Sequence, residues 1–94
     1  MAKTYYLYIL TNAHHTVFYT GMTNDLERRI TQHREGSGST FVRKYNVFKL
    51  VFMQEFQIAA EAIQAEKLLK RSSRRRKELL ISEQNPGWVD LFTP

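Results

Sequence analysis

Between Phe18 and His33 the chain reads FYTGMTNDLERRITQH, and three side chains with chemical capacity fall close together in it. Phe18, Tyr19 and Thr20 have the aromatic and β-branched character of a strand, and Gly21 lets the backbone bend. Asn24 and Asp25 offer helix N-cap chemistry, and with Asn24 as the cap, Glu27 falls at the capping-box position. Leu26 and Ile30, four apart, give the following helix an apolar stripe. Arg29 and His33, also four apart, flank that stripe on its core side. The unit therefore brings together a phenol, a guanidinium and an imidazole, groups able to hold an anion and move a proton.

The elements around this unit fit one domain. Ninety-four residues allow an adequate core, and 43% hydrophobic with 24% charged residues is a globular composition. A formal net charge of +5 favours an anionic partner, nucleic acid first among them. The absence of cysteine excludes disulfides and thiolate metal sites and suits a reducing compartment. The run YYLYIL is broken at once by Thr11 and Asn12, too soon for a signal h-region or a membrane span. The expectation is a soluble cytoplasmic protein with no membrane partner.

Tyr5 to Leu10 reads as a buried strand, Thr11 to Thr16 as a polar turn and Val17 to Met22 as the returning strand. A loop of Asn12 to His15 would pair Thr11 with Thr16 and set Tyr8 opposite Tyr19, about 4.5–5.5 Å apart at Cβ. His14 and His15 could be ligands, although adjacent imidazoles in a turn are more often solvated. Glu35 to Thr40 carries no helix or strand signal. Phe41, Arg43, Lys44 and Tyr45 mix basic and aromatic side chains, which suits phosphate contact with base stacking, or equally a solvated connection anchored by two aromatics. Val47 to Phe56 is apolar on both faces and reads as the central or best-covered strand.

Ile58 to Lys70 is the clearest helix, with Ile58, Ala62, Ala65 and Leu69 inward and Glu61, Gln64 and Lys67 outward. Glu66 sits at the stripe's edge beside Ala59 and Ala62, where small neighbours give it room to face a site. Arg71, Arg74, Arg75, Arg76 and Lys77 surround two serines at a helix break, and Leu79, Leu80 and Ile81 fix the next helix. Asn85-Pro86-Gly87 ends it, and Trp88, Val89, Leu91 and Phe92 fold back as an apolar clasp. The predicted architecture is α+β. A three-stranded antiparallel sheet spans roughly 4–11, 16–22 and 46–56, with helices near 24–34, 58–70 and 74–83, all in one domain over 1–94.

Tyr6-Leu7-Tyr8, Tyr19-Thr20-Gly21, Arg29, His33 and the later Glu66 together resemble the GIY-YIG nuclease superfamily, and most closely its small single-domain bacterial proteins. Tyr6 stands where the family has a glycine, and Thr20 where it has an isoleucine. The superfamily includes homing endonucleases, restriction enzymes and a repair nuclease subunit. The resemblance implies a metal-dependent endonuclease acting on nucleic acid, DNA ahead of RNA. It matches Tyr8 and Tyr19 to the two motif tyrosines, either of which takes the general-base role, and Gly21 to the motif glycine. Arg29 becomes the phosphate clamp and His33 a proton relay or tyrosine partner. Glu66 becomes the single carboxylate for one Mg²⁺ or Mn²⁺, and Asn85 the late family asparagine. Nucleic-acid contacts then fall to Arg43, Lys44, Lys70, Arg71, Arg74, Arg75 and Arg76. Two other readings remain open: a nucleic-acid-binding module of this fold without useful cleavage, and a protein-interaction domain whose partner supplies targeting.

Overall fold

The computed structural model describes residues 3–36 and 40–92. Strands β1 (Tyr5–Thr11), β2 (Phe18–Thr23) and β3 (Lys49–Phe56) form an antiparallel sheet in the order β2-β1-β3. Helices α1 (Leu26–Arg34) and α2 (Thr40–Tyr45) separate β2 from β3, and α3 (Ala59–Arg71) and α4 (Arg74–Gln84) follow. The architecture is the expected α+β fold with one additional helix.

Helices cover both faces of the sheet. Leu7, Ile9, Val51 and Phe52 meet Leu69 of α3 and Ile81 of α4 on one face. Tyr8, Leu10 and Leu50 meet Ile30 of α1 and Val42 of α2 on the other. A bulge opposite Ile9 and Leu10 lets Val51 and Phe52 share a face, so β3 is apolar beyond strict alternation.

Of the two readings of that apolarity, central or best-covered, the central one does not hold. β1 is central, buried from Leu7 to Thr11, and β3 lies at the edge. The outer side of β3 is covered by the end of the chain instead of by another strand. Leu91 N donates to Leu50 O (2.8 Å), Leu50 N to Asp90 Oδ1 (3.3 Å) and Asn85 Nδ2 to Val51 O (3.1 Å). Gln84 donates to Met53 O (2.6 Å) and accepts from Met53 N (3.0 Å), as a neighbouring strand would. Trp88 and Phe92 of the expected clasp pack against the two cores, whereas Val89 and Leu91 stay exposed.

The hairpin register also differs. Thr11 pairs with Phe18 and Tyr8 with Gly21, two residues from the expected pairing. Asn12 is the cause: its Oδ1 accepts from Thr16 N (2.8 Å) and Val17 N (3.1 Å), drawing both into the turn. A shift of two preserves the alternation of faces, so Tyr8 and Tyr19 still share one. At α1 the cap is Asp25, which accepts from Arg28 N (3.1 Å); Arg28 takes the third helical position and the capping box with Glu27 does not form. Ile58, expected inward, is the residue before α3 and is exposed, and Leu79 is half exposed while Leu80 and Ile81 pack inward.

Helix α2 contradicts the absence of helix signal at Thr40. It is held by one fully buried residue, Val42, and closed by Val47 N donating to Val42 O at 3.0 Å. The rest of the Gly/Ser stretch, 37–39, lies outside the described residues. Among the described residues no helix is long and apolar enough to cross a membrane.

Two positions allow direct tests. A Cβ on Gly21 would lie 2.5 Å from the Tyr8 hydroxyl oxygen and 2.6 Å from its Cζ, so the β2 backbone at that point must stay bare. Gly21→Ala is expected to destabilise by about 1–3 kcal/mol through overpacking, read from urea unfolding midpoints. Asn85, 5% exposed, also donates to Val89 O (2.8 Å) and accepts from Val89 N (3.1 Å). Asn85→Ala leaves these backbone groups unpaired and should cost about 1–3 kcal/mol in the same measurement.

Candidate active site

Tyr8 from β1, Tyr19 from β2 and His33 from α1 converge on the sheet face covered by α1 and α2. The Tyr8 hydroxyl is 3.1 Å from His33 Nε2. The ring centroids of Tyr8 and Tyr19 are 6.3 Å apart, and Tyr19 meets His33 edge-on at 5.4 Å. Tyr8 and His33 are each 1% exposed, whereas Tyr19 is half-buried. Gly21 makes the arrangement possible, since the Tyr8 phenol occupies the space its side chain would fill.

The electrostatics follow from burial. Desolvation pushes the Tyr8 phenol far above its usual value near 10, the Tyr19 phenol adds to this, and Arg29 opposes it; the Glu66 charge and hydrogen bonding toward Tyr19 raise it further. His33 is held below the usual imidazole value, by burial first and by Arg29 second. At neutral pH the pair is therefore a neutral imidazole and an intact phenol. His33 Nδ1 is buried without a hydrogen-bond partner among the described residues. A buried N–H without a partner is rarer than an under-used acceptor, so we place the imidazole proton on Nε2, donating to the Tyr8 oxygen.

Arg29 and Glu66 stand around this buried pair, and both charges register at Tyr8. Arg29 is exposed, its guanidinium has no hydrogen-bond partner among the described residues, and it borders a shallow depression of about 340 Å³ with Asn24, Arg28 and Gln32. The Glu66 side chain is 21% exposed and lies 3.5 Å from Lys70, one turn along α3. No trio of His, Asp or Glu among the described residues is placed to hold a metal ion. One carboxylate fits a hard divalent cation that would keep most of its waters.

The basic residues divide by what they touch. Arg74 donates to the carbonyls of Thr16 (2.9 Å) and His15 (2.6 Å), stacks over Phe18 at 4.5 Å and pairs with Glu78, so it fastens the hairpin turn to α4. Lys70 is engaged by Glu66, and Lys44 lies over the Tyr45 ring. Arg43, Arg71, Arg75 and Arg76 are exposed and make no side-chain hydrogen bond among the described residues. His15 is not simply solvated: its ring stacks on Trp88 at 4.8 Å and its Nε2 lies 3.0 Å from Lys49 Nζ.

Two spatial relations escape a reading of the sequence: the alignment of the Phe41 and Tyr45 rings, already singled out by type, and the pairing of Arg34 with Asp90. Phe41 and Tyr45 extend the Tyr19 ring outward, with centroids 6.2 Å and 4.9 Å apart in succession, and both are exposed. Their i, i+4 spacing was the available signal, masked by the absence of any other helix pattern. Arg34 and Asp90 form an ion pair at 2.6 Å, and nothing in the sequence marks them as partners.

Comparison with known proteins gives the family. Residues 4–79 match the family described as the GIY-YIG catalytic domain. A UPF0213 protein of Natronomonas pharaonis is 36% identical over 84 residues, covering 89% of this chain and 98% of its own. A UPF0213 protein of Limosilactobacillus reuteri is 37% identical over 93 residues, covering 97% of this chain and 93% of its own. The solution NMR structure of a UPF0213 protein from Bacillus halodurans superposes with a TM-score of 0.60 at 35% identity, covering 97% and 99% of the two chains. The chain thus belongs to the GIY-YIG family, a nuclease superfamily, and groups there with the UPF0213 proteins.

Proposed function

We propose that this chain is a divalent-metal-dependent endonuclease that hydrolyses phosphodiester bonds in nucleic acid, DNA ahead of RNA, acting in the cytoplasm as one domain over 1–94. The observation that carries the proposal is the buried Tyr8–His33 pair with Tyr19, Arg29 and Glu66 set around it. Arg29 has a guanidinium free to clamp the phosphate with its planar fork. Glu66 would hold the Mg²⁺ or Mn²⁺ ion, which when bound polarises the phosphate and eases departure of the leaving oxygen.

Of the two phenols, Tyr19 is the one for the general base, acting as the phenolate after its own proton has passed to solvent and so able to accept one from the attacking water. Tyr8 resists ionisation because it is buried, and the opposing charge of Arg29 does not outweigh that. Tyr19 is half-buried where Tyr8 is fully buried, which makes it the phenol more open to an attacking water. Tyr8 and His33 then hold and orient Tyr19 from behind. The exposed Phe41 and Tyr45 rings offer a stacking surface for bases beside the site, and Arg43, Arg71, Arg75 and Arg76 offer phosphate contacts. The same surfaces would serve a binding module that does not cut, and a partner protein that supplies targeting is compatible with either.

Cleavage assays on duplex, single-stranded, branched and RNA substrates test the reading. Glu66→Gln keeps shape and loses charge, so metal affinity should fall and raised Mn²⁺ should restore some cleavage. Arg29→Lys keeps charge and loses the bidentate fork, so the rate should drop by about 10²–10³ at every metal concentration with binding nearly intact. An Arg29→Lys enzyme as fast as wild type would remove Arg29 from the mechanism. No metal-dependent cleavage of any substrate, with binding retained, would favour the binding module.

Charge neutralisation tests the surface separately. Replacing Arg71, Arg75 and Arg76 by alanine should weaken binding alike across sequences and reduce the salt slope by about 1 for each phosphate left without its arginine. Arg74 is left in place because it ties down the hairpin turn. An unchanged salt slope would make this run a solvated face.

A further inference from the structure

A functional histidine is ordinarily oriented through its second ring nitrogen, by a carboxylate or a carbonyl. His33 lacks that support, because its Nδ1 has no partner among the described residues. Its imidazole reaches Tyr8 through Nε2 alone, so the position of the ring depends on where the end of α1 is held.

Helix α1 is nine residues long, and Ile30 and His33 are its fully buried side chains. Its first turn is fixed by the Asp25 cap. Its last turn is fixed by Arg34, the residue next to His33. Arg34 donates from Nε and Nη2 to Phe48 O (3.2 and 3.1 Å), from Nη1 to Phe92 O (3.0 Å) and from Nη2 to Asp90 Oδ2 (2.6 Å). The guanidinium also lies 5.1 Å from the centre of the Phe92 ring. Asp90 is the junction: while Oδ2 takes Arg34, Oδ1 accepts from Leu50 N (3.3 Å) and Phe92 N (3.0 Å). One carboxylate thus joins α1, β3 and the end of the chain. It lies beyond residues 4–79, the part that matches the family.

We infer that Asp90, acting through Arg34, is a positioning residue for His33, so that the segment after α4 completes a site it does not touch. The placement of His33 follows from the geometry alone; its effect on cleavage rests on the proposed endonuclease function.

Asp90→Asn is the test, because an amide has one acceptor oxygen where the carboxylate uses two and can satisfy either Arg34 or the two backbone N–H groups. Asp90→Glu keeps both acceptors and the charge. Arg34→Lys keeps the ion pair but not all the carbonyl links, and serves if Asp90→Asn does not fold. The primary readout is ¹H–¹⁵N NMR of the His33 ring in the full chain, with the His14 ring as internal control. Asp90→Asn and Arg34→Lys should shift and broaden the His33 Nε2 resonance while His14 is unchanged, and Asp90→Glu should restore it. With substrate, kcat should fall by about 10²-fold with KM little changed, the scale of a small misplacement of a reacting group. An unaltered His33 resonance in folded Asp90→Asn and Arg34→Lys overturns the inference. An altered resonance in a chain that cuts nothing supports the positioning and overturns the endonuclease reading instead.

Discussion

The structure depends on burying a phenol against an imidazole across a gap left by glycine. Tyr8 is central in the sheet, covered by helices, and its hydroxyl needs a partner there; His33 is that partner. The requirement sets several choices at once. The residue paired with Tyr8 must lack a side chain, the helix carrying His33 must end over β1, and Tyr19 must share the face of Tyr8. Burial then separates the two tyrosines chemically. One is kept a phenol behind the other, and the second meets solvent.

Charge is divided in the same way. Arg34 and Arg74 have their donors taken by backbone carbonyls and hold loops and helix ends together. Among the described residues Arg29 has none taken, and its charge acts on Tyr8. Glu66 is paired with Lys70 on its own helix, an arrangement of small energetic weight on a partly exposed surface. The net positive charge therefore includes both fastenings and free contacts. Position in the fold separates them, since Arg74 ties down the hairpin turn while its neighbour Arg75 makes no side-chain hydrogen bond among the described residues.

Much of this was legible in the sequence because it rests on parity and local chemistry. Tyr8 and Tyr19 stay on one face even though Asn12 shifts the hairpin by two residues, since only an odd shift would part them. The helix starts before Leu26 and after Ser73 follow from side chains that cap the next turn. What was not legible depends on distant neighbours. Val47 to Phe56 reads as central or best-covered because its edge is covered by residues 84–91, a covering with no local trace. Helix α2 hangs on Val42 alone, and Asp90 finds Arg34 across 56 residues of chain. Ion-pair partners of that separation cannot be picked from nine acidic and fourteen basic residues by type.

Gln84 gives the outer strand a final property. Its amide supplies one donor and one acceptor to Met53, while Asn85, Asp90 and Leu91 occupy the polar groups of Val51 and Leu50. An edge strand with unpaired backbone groups is a template on which another polypeptide can extend a sheet. Here that template is already filled by side chains and one turn of the same chain. Along β3 from Leu50 to Met53 the protein is closed to strand addition, and fibre-like or swapped association has no purchase on that side.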